Sequence, residues 1–429
     1  MKNYLRRRGT YMSILKEKSK IILERALIFL RWIIFAIITG LVVGGVGTLF
    51  VKGLGLANSF RTAHPQIILA LPLAGLAIVF LYKICNYEND KGTNLVISTL
   101  HAETQIPFRM APLIFISTIT THLFGGSAGR EGAALQLGGS IGNQLGRWFK
   151  LDQEDTELIV MCGMSAAFSA IFGTPLAAVI FVMEVSSIGM MHYAAFVPGM
   201  VASLVASSFA THMGVHAEAF VIAETVDFAL LPALKIVLLG ICCAIISILF
   251  CQLLHAAGHI LKKHFPNPYI RIAIAAFIII GLTALLHTSA YSGAGVNLIE
   301  EAFFGESPKM AFLWKMIFTA ITLGAGFKGG EIVPSFTIGA TFGCLFGSLL
   351  GLSPSLCAAV AMVSVFCGVT NCPISSLLIG FELFGFGSMK FLLIGVSISY
   401  MLSGYTGLYS EQTILNSKFK MQTIDVKTH

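Results

Sequence analysis

Two adjacent charges, Arg130 and Glu131, lie in a glycine-rich stretch, Gly125–Trp148, whose flanking sequence is apolar and almost uncharged. Charged residues in a membrane-like environment are rare and commonly functional. The pattern predicts a helix that begins near Glu131, with the backbone N–H groups of Gly129–Ala133 available to attract anions. The Glu131 carboxylate is then either a simple cap or a tethered anion that competes with a mobile one for these N–H groups. The membrane context favours the tethered anion.

A second copy of this stretch follows 200 positions later. Gly326–Gly343 aligns with the first stretch without a gap and places Glu331 on Glu131. A third similarity, at an offset of 198, relates Pro175–Glu184 to Pro373–Glu382. The chain is therefore predicted to be a tandem duplication. Two glycine-rich helix starts in matching places predict a site near the middle of the membrane, between the two repeats.

The composition indicates an integral membrane protein. Hydrophobic residues make up 56% of the chain and charged residues 11%, and the mean hydropathy is +0.83. These values lie far from those of soluble proteins. Only some of the apolar runs reach the about 20 residues that cross a bilayer as a helix. The shorter ones are predicted to be tilted, paired or broken helices buried in protein, which gives an all-α membrane fold.

The net charge of +7 is concentrated at the two ends of the chain, which predicts membrane orientation rather than nucleic-acid binding. Residues 1–31 contain nine Lys and Arg residues and are predicted to form a cytoplasmic helix on the lipid surface. The tail is also basic, so both termini are predicted to be cytoplasmic. The predicted division is the helix 1–31, a first membrane repeat 32–215, a second membrane repeat 226–412 and a short cytoplasmic tail 413–429.

Neither a metal nor a cofactor is predicted. His255 and His259 have the i, i+4 spacing of a zinc pair, but no glutamate base stands between them. The nine cysteines show no CxxC spacing and are predicted to be free structural thiols. An intramembrane serine protease would require a pair such as Ser127 and His122, although small residues beside glycine more simply pack helices. A transporter is therefore predicted, with an intramembrane enzyme as the remote alternative.

The motifs resemble those of the CLC family of chloride channels and proton-coupled anion exchangers. Gly129-Arg130-Glu131-Gly132 is similar to the family's Gly-Lys/Arg-Glu-Gly-Pro, whose glutamate is the gate. Gly330–Pro334, Gly-Glu-Ile-Val-Pro, is similar to its second anion motif, Gly-x-Phe-x-Pro. The resemblance extends from about residue 30 to residue 412. It implies an inverted repeat with many tilted and broken helices, a pore in each subunit and pairing of subunits as a homodimer in the cell membrane.

The resemblance also implies roles for individual residues. Thr93, in Gly-Thr-Asn-Leu, takes the place of the family's central serine, and Tyr409 that of its central tyrosine. Gating and proton transfer are assigned to Glu131 and Glu331, although Glu331 is alternatively a structural partner of Lys328. The implied anion-binding residues are Thr93, Gly129, Arg130, Gly132, Ala133, Gly330, Ile332, Val333 and Tyr409.

Departures from the family pattern indicate which branch the chain resembles. Ala133 replaces the proline of the first motif, and Ile332 replaces the phenylalanine of the second. Val185 follows Glu184 where chloride/proton exchangers carry a second, proton-relaying glutamate. Together with Glu331 inside the second motif, this combination is similar to the bacterial fluoride/proton antiporter branch. The expected activity is fluoride export coupled to proton entry, with an uncoupled, voltage-gated-type chloride channel of the same family as the alternative.

Overall fold

The computed structural model describes residues 2–88, 90–99, 106–216, 218–223 and 226–428, with side chains described from residue 17 onward. These residues form sixteen α-helices, two short 3-10 helices and three short strands. The first eight helices are α1 Lys2–Ala63, α2 Leu71–Ile84, α3 Thr93–Thr99, α4 Met110–Leu123, α5 Glu131–Trp148, α6 Gln153–Phe172, α7 Pro175–Val185 and α8 Phe196–His212. The 3-10 helices, Pro65–Ala70 and Tyr193–Ala195, precede α2 and α8.

The other eight helices follow the same order of long and short elements. They are α9 Leu230–His264, α10 Pro268–Leu286, α11 Val296–Phe303, α12 Ala311–Ala325, α13 Ile332–Leu350, α14 Pro354–Thr370, α15 Pro373–Phe384 and α16 Met389–Leu402. The motif helices α5 and α13 occupy equivalent places in the two series, and so do α7 and α15. This order supports a duplication, while the repeat limits 32–215 and 226–412 stay a prediction.

Within the described residues, seven helical segments are long and apolar enough to cross a membrane. Six further apolar helices are shorter, with 10–17 residues each. Apolar side chains lie exposed along the long helices, for example Leu49 at 63% and Leu73 at 69%. Such a surface suits lipid rather than water, so the fold is that of a multi-pass membrane protein.

The start of the chain differs from the separate surface helix that the sequence predicts for residues 1–31. Helix α1 runs from Lys2 to Ala63 without a break. Residues 10–39 contain neither proline nor glycine, so nothing in the backbone ends the helix between the basic segment and the first apolar run. The two predicted segments are therefore parts of one helix.

Two helix pairs, α5 with α6 and α13 with α14, pack so closely that backbone meets backbone. A Cβ atom at Gly138 would lie 2.2 Å from the carbonyl oxygen of Gly163, and one at Gly343 would lie 2.2 Å from that of Cys357. No side chain larger than hydrogen fits at these contacts. Small residues therefore set the distance between these helices, as in other membrane proteins.

Each half of the chain also caps the N-terminus of a helix in the other half. The Glu184 carboxylate, at the end of α7, accepts the first N–H groups of α15 at 3.1 and 2.9 Å and the Ser375 hydroxyl at 2.7 Å. The Glu382 carboxylate, at the end of α15, accepts the first N–H groups of α7 at 3.1 and 2.9 Å. Both carboxylates lie where a helix N-terminus stabilises negative charge. This exchange accounts for the sequence similarity at an offset of 198 and gives Glu184 a structural role.

The tail departs from an entirely helical fold because it forms two strands. Strands β2, Thr413–Asn416, and β3, Thr423–Lys427, are antiparallel, and β2 also runs parallel to β1, Ser187–Ile188. Lys418 lies between β2 and β3, and its Nζ donates to Asn371 Oδ1 at 2.5 Å and to the Tyr400 carbonyl at 2.9 Å. A cation suits these C-terminal helix ends, although burial lowers the pKa of Lys418 to about 8. The tail thereby ties α14 to α16.

We expect Glu184→Gln to destabilise the protein more than Glu382→Gln. Each amide would turn a donor toward helix N–H groups, and an unsatisfied buried group costs about 1–3 kcal/mol. Glu184 is 5% exposed, whereas Glu382 is exposed and can recover hydrogen bonds from its surroundings. Thermal unfolding of the purified protein in detergent measures the difference, with the exposed Glu306→Gln as control. Equal losses in the two variants would contradict the burial argument.

Candidate anion-transport site

Two glycine loops cross immediately before helices α5 and α13. The Gly330 N–H donates to the Gly129 carbonyl at 2.8 Å, and the Gly129 N–H donates to the Gly330 carbonyl at 2.5 Å. A Cβ atom at Gly330 would lie 2.5 Å from the Gly132 nitrogen, so this approach requires glycine. The bridge brings the starts of the two motif helices together at the same place in the protein.

The helix starts leave several N–H groups without an acceptor inside their own helix. In α5 these belong to Glu131–Ala133, because the first helical hydrogen bond is donated by Ala134. In Ile332–Pro334, the first turn of α13, the proline supplies no N–H. Ala133 therefore gives α5 one donor that α13 lacks. The predicted helix start at Glu131 agrees with the structure.

Glu131 is fully buried and turned back onto the start of its own helix. Its Oε2 accepts the backbone N–H of Arg130 at 3.2 Å, and its Oε1 accepts the Arg130 Nε–H at 3.2 Å. The carboxylate thus lies against N–H groups that a mobile anion could also use. This is the geometry that the tethered-anion interpretation requires.

Glu331, the residue just before α13, and Thr93 both lie close to the backbone of Gly132. A Cβ atom at Gly132 would lie 3.4 Å from Glu331 Oε2, 3.4 Å from Thr93 Oγ1 and 3.0 Å from Gly330 Cα. Gln136, one turn further along α5, donates from Nε2 to Thr93 Oγ1 at 3.3 Å. A carboxylate, a hydroxyl and the first amides of α5 therefore surround the same small space.

The structure contradicts the alternative in which Glu331 pairs with Lys328. Lys328 Nζ instead bonds to Asp90 Oδ2 at 2.7 Å and lies 4.3 Å from the centre of the Tyr82 ring. Asp90 Oδ1 also accepts the N–H of Gly92 at 2.9 Å and so orients the loop that carries Thr93. In the described part of the chain Glu331 has no ion-pair partner. Its carboxylate remains available to the space beside it.

Tyr409 lies in the neighbourhood of Glu331 and Glu131. Its side chain is fully buried. Its hydroxyl has no hydrogen-bond partner among the described residues. A buried donor without a partner is costly, and such a group points to a site for a ligand. The structure therefore brings Thr93, Tyr409 and the two motif glutamates to one place.

The other candidate residues lie on the same two loops and helix starts. Gly129 and Gly330 form the bridge, and Arg130 holds Glu131 through its guanidinium. Ile332 and Val333 are buried at the start of α13, at 0% and 2% exposure. Only their backbone can offer a polar group to an anion, because their side chains carry no polar atom.

Lys315 is a residue of this region that the sequence analysis did not single out. Its side chain is fully buried on α12, and Nζ donates to Ser127 Oγ at 3.0 Å and to the carbonyls of Tyr291 and Gly293 at 3.1 and 2.7 Å. It thus holds the loop that leads to Arg130. A single lysine within the apolar run Met310–Leu323 was the available signal, because a charge in a membrane segment rarely lacks a role.

The pair required by the protease alternative is not formed. Ser127 Oγ contacts Thr319 Oγ1 at 3.0 Å and accepts from Lys315, whereas His122 Nε2 lies 3.4 Å from the Gly129 carbonyl. A nucleophile and its base must lie within hydrogen-bond reach of each other, and these two residues are each bonded elsewhere. Among the described residues there is also no group of three or more potential metal ligands.

Comparison with known proteins identifies the family. Residues 73–404 match the family model described as voltage gated chloride channel. The chain is 37% identical over 396 residues to the chloride/fluoride channel protein of Pseudomonas syringae pv. tomato, which covers 90% of this chain and 87% of that protein. It is 24% identical to the H(+)/Cl(-) exchange transporter ClcA of Vibrio cholerae, with 91% of each chain covered. The protein therefore belongs to the voltage-gated chloride channel family, and the predicted family resemblance is confirmed.

Solved structures agree with this result. The chain is similar to a CLC-type fluoride/proton antiporter, with a TM-score of 0.86 and 35% identity over 90% of this chain and 98% of that one. A slow cyanobacterial Cl-/H+ antiporter has the same fold, with a TM-score of 0.77 and 19% identity over 87% of this chain and 94% of that one. The predicted CLC-type fold is thus confirmed.

We expect Gly132→Ala to lower anion flux at least about tenfold, because small displacements at a site can cost orders of magnitude in rate. The added methyl group would fill the space between Glu331 Oε2 and Thr93 Oγ1. Anion efflux from liposomes measures the effect. Gly55→Ala on α1 is the matched control, since a Cβ atom there meets nothing within 4 Å. Equal flux in the two variants would show that this space is not on the anion path.

Proposed function

We propose that the protein exports fluoride across the cell membrane in exchange for protons. The observation that carries the proposal is that the Glu331 carboxylate and the Thr93 hydroxyl both lie close to the backbone of Gly132, the residue after Glu131. Two relatives support the choice of anion: a chloride/fluoride channel protein and a CLC-type fluoride/proton antiporter, at 37% and 35% identity.

In this proposal the anion is held mainly by neutral donors. The first amides of α5 and α13, the Thr93 hydroxyl and the Tyr409 hydroxyl supply hydrogen bonds without a full positive charge. Such donors bind an anion weakly enough to release it, whereas a buried unpaired cation would hold it. Glu131 occupies the amides when no anion does, and therefore acts as the gate.

Fluoride is favoured over chloride because of how closely the donors can approach it. Fluoride holds water more tightly than chloride, so a site that selects it must replace that water with several close donors. Ala133 contributes an N–H group where a proline would have none. Because Gly132 has no side chain, an anion can approach its backbone closely.

Protons are proposed to travel on Glu131 and Glu331. Both carboxylates adjoin the anion space, whereas Glu184 is held by N–H and O–H donors of α15. Val185 leaves no titratable group at the next position. A proton route through the end of α7 is therefore disfavoured, and Glu331 is the carboxylate placed to exchange protons with Glu131.

A second candidate is an uncoupled anion channel of the same fold. It is favoured by the ion pair with Arg130, which stabilises Glu131 as a carboxylate that an anion could displace without any proton. The two candidates differ in whether anion flow moves protons. They share the anion site and the gate.

The subunit is proposed to pair as a homodimer with a separate site in each copy, and both termini are proposed to be cytoplasmic. The basic charges of residues 1–31 and of the tail support this orientation. Support for the dimer comes from the apolar faces of α8 and α16, where Leu204 and Met401 are each 48% exposed. All site residues named above belong to one chain, so each copy is complete.

Reconstituted liposomes test the proposed function. With fluoride or chloride inside, ion-selective electrodes should record faster efflux of fluoride, and a pH electrode should record protons moving in the opposite direction. A fluoride gradient should drive protons uphill, because exchange couples the two flows. Chloride efflux equal to or faster than fluoride efflux would refute the choice of anion. Efflux with no proton movement would refute antiport and favour the second candidate, the uncoupled anion channel.

We expect Glu131→Gln and Glu331→Gln each to lower fluoride-driven proton uptake at least about tenfold, since an amide of the same shape does not titrate. Anion efflux in Glu131→Gln can continue or be blocked, according to where the amide rests. Glu331→Gln should keep the elution volume and melting temperature of the wild type. Glu306→Gln is the exposed control. Uphill proton movement in either site variant would remove that residue from the proton route.

The dimer is tested by chemical cross-linking in native membranes. We expect a band at twice the mass of one chain, because a membrane protein with apolar faces on α8 and α16 can pair through them. Leu204→Trp, on α8, should weaken the band if that face is the interface. Recovery of monomer alone from the wild type would contradict the proposal.

A further inference from the structure

One arginine at the first motif bridges two carboxylates. Arg130 Nε donates to Glu131 Oε1 at 3.2 Å, and Arg130 Nη2 donates to Glu218 Oε1. Glu218 lies in the segment between α8 and α9, far from either motif in the sequence. The linker between the halves therefore supplies a third carboxylate to the gate.

The Arg130–Glu218 pair lies at the edge of the protein interior. The two residues are the charged members of a small cavity whose other walls are apolar, among them Phe172, Val333 and Phe336. Their side chains are 15% and 20% exposed, whereas that of Glu131 is fully buried. The cavity adjoins the first turn of α13, and the partly exposed ion pair forms part of its wall.

The charges explain why a second carboxylate is required there. When Glu131 takes a proton or leaves the amides, the guanidinium loses one of its two partners. An arginine without a partner in a partly buried, low-dielectric place attracts anions far more strongly than neutral amides do. Transport requires that an anion can leave again. A carboxylate that stays beside the guanidinium keeps Arg130 neutralised, so that the arginine does not bind the anion too strongly for release.

We propose that Glu218 is a positioning residue for anion release, which keeps Arg130 neutralised while Glu131 opens and closes. The inference rests on the proposed anion transport but not on which halide is carried. Glu218 touches neither Glu331 nor Thr93 in the described contacts. Its loss should therefore alter anion release while leaving the proton carriers in place.

The experiment measures anion efflux from liposomes into baths that contain increasing concentrations of the same anion. In Glu218→Gln the bath concentration that halves efflux should fall at least about tenfold, because one charge-assisted hydrogen bond to the anion is gained. The maximal efflux rate should fall as well, since release becomes slow. The number of protons moved for each anion should not change. Asp227→Asn, an exposed carboxylate in the same linker, is the matched control.

Two further variants separate charge from structure. Glu218→Asp keeps the negative charge and should restore most of the wild-type inhibition constant. The double variant Arg130→Gln with Glu218→Gln removes the guanidinium together with its partner, so bath anion should again inhibit weakly. An unchanged inhibition constant in Glu218→Gln, or strong inhibition that persists in the double variant, would overturn the inference. If the wild type carries no anion at all, the proposed function fails instead.

Discussion

The pair of hydrogen bonds between Gly129 and Gly330 is the contact on which the rest of the site depends. It joins the loops in front of α5 and α13, so that the unsatisfied N–H groups of two helices belong to one place rather than two. Without it, the duplicated motifs would form two separate weak anion sites. Because it uses backbone atoms and leaves no room for a side chain at Gly330, it also explains why the motifs are rich in glycine.

Around this bridge, most charges have fixed partners. Lys328 is held by Asp90, Arg130 by two carboxylates, and Lys315 by carbonyl and hydroxyl oxygens. Such pairing removes the strong attraction that a free buried charge would have for an anion. Among the described groups at the site, the Glu331 carboxylate lacks an ion pair and the Tyr409 hydroxyl lacks a hydrogen bond. Few groups at the site are thereby left to interact with an anion or a proton.

The sequence alone was sufficient to predict the features that are local or that repeat along the chain. The helix start at Glu131, the second copy at Glu331 and the membrane class follow from glycine content, periodicity and hydropathy. The partners of charged residues did not follow, because they lie far apart in the chain: Lys328 and Asp90 are 238 positions apart, and Arg130 and Glu218 are 88. The strands of the tail were also missed, since a pair of short strands has too little sequence pattern to stand out beside long apolar helices.

The exchange of carboxylates between α7 and α15 bears on how such a chain arose and how it is assembled. When residue i of one element contacts j of another and the reverse contact is also made, the arrangement has the form of a two-fold interface between identical copies. A single half with this arrangement could cap its own α7 only by pairing with a second half, and fusion of two such halves would turn that interface into the interior of one chain. Because Glu382 is synthesised nearly 200 residues after the end of α7, the first amides of α7 lack this partner until most of the chain has been made.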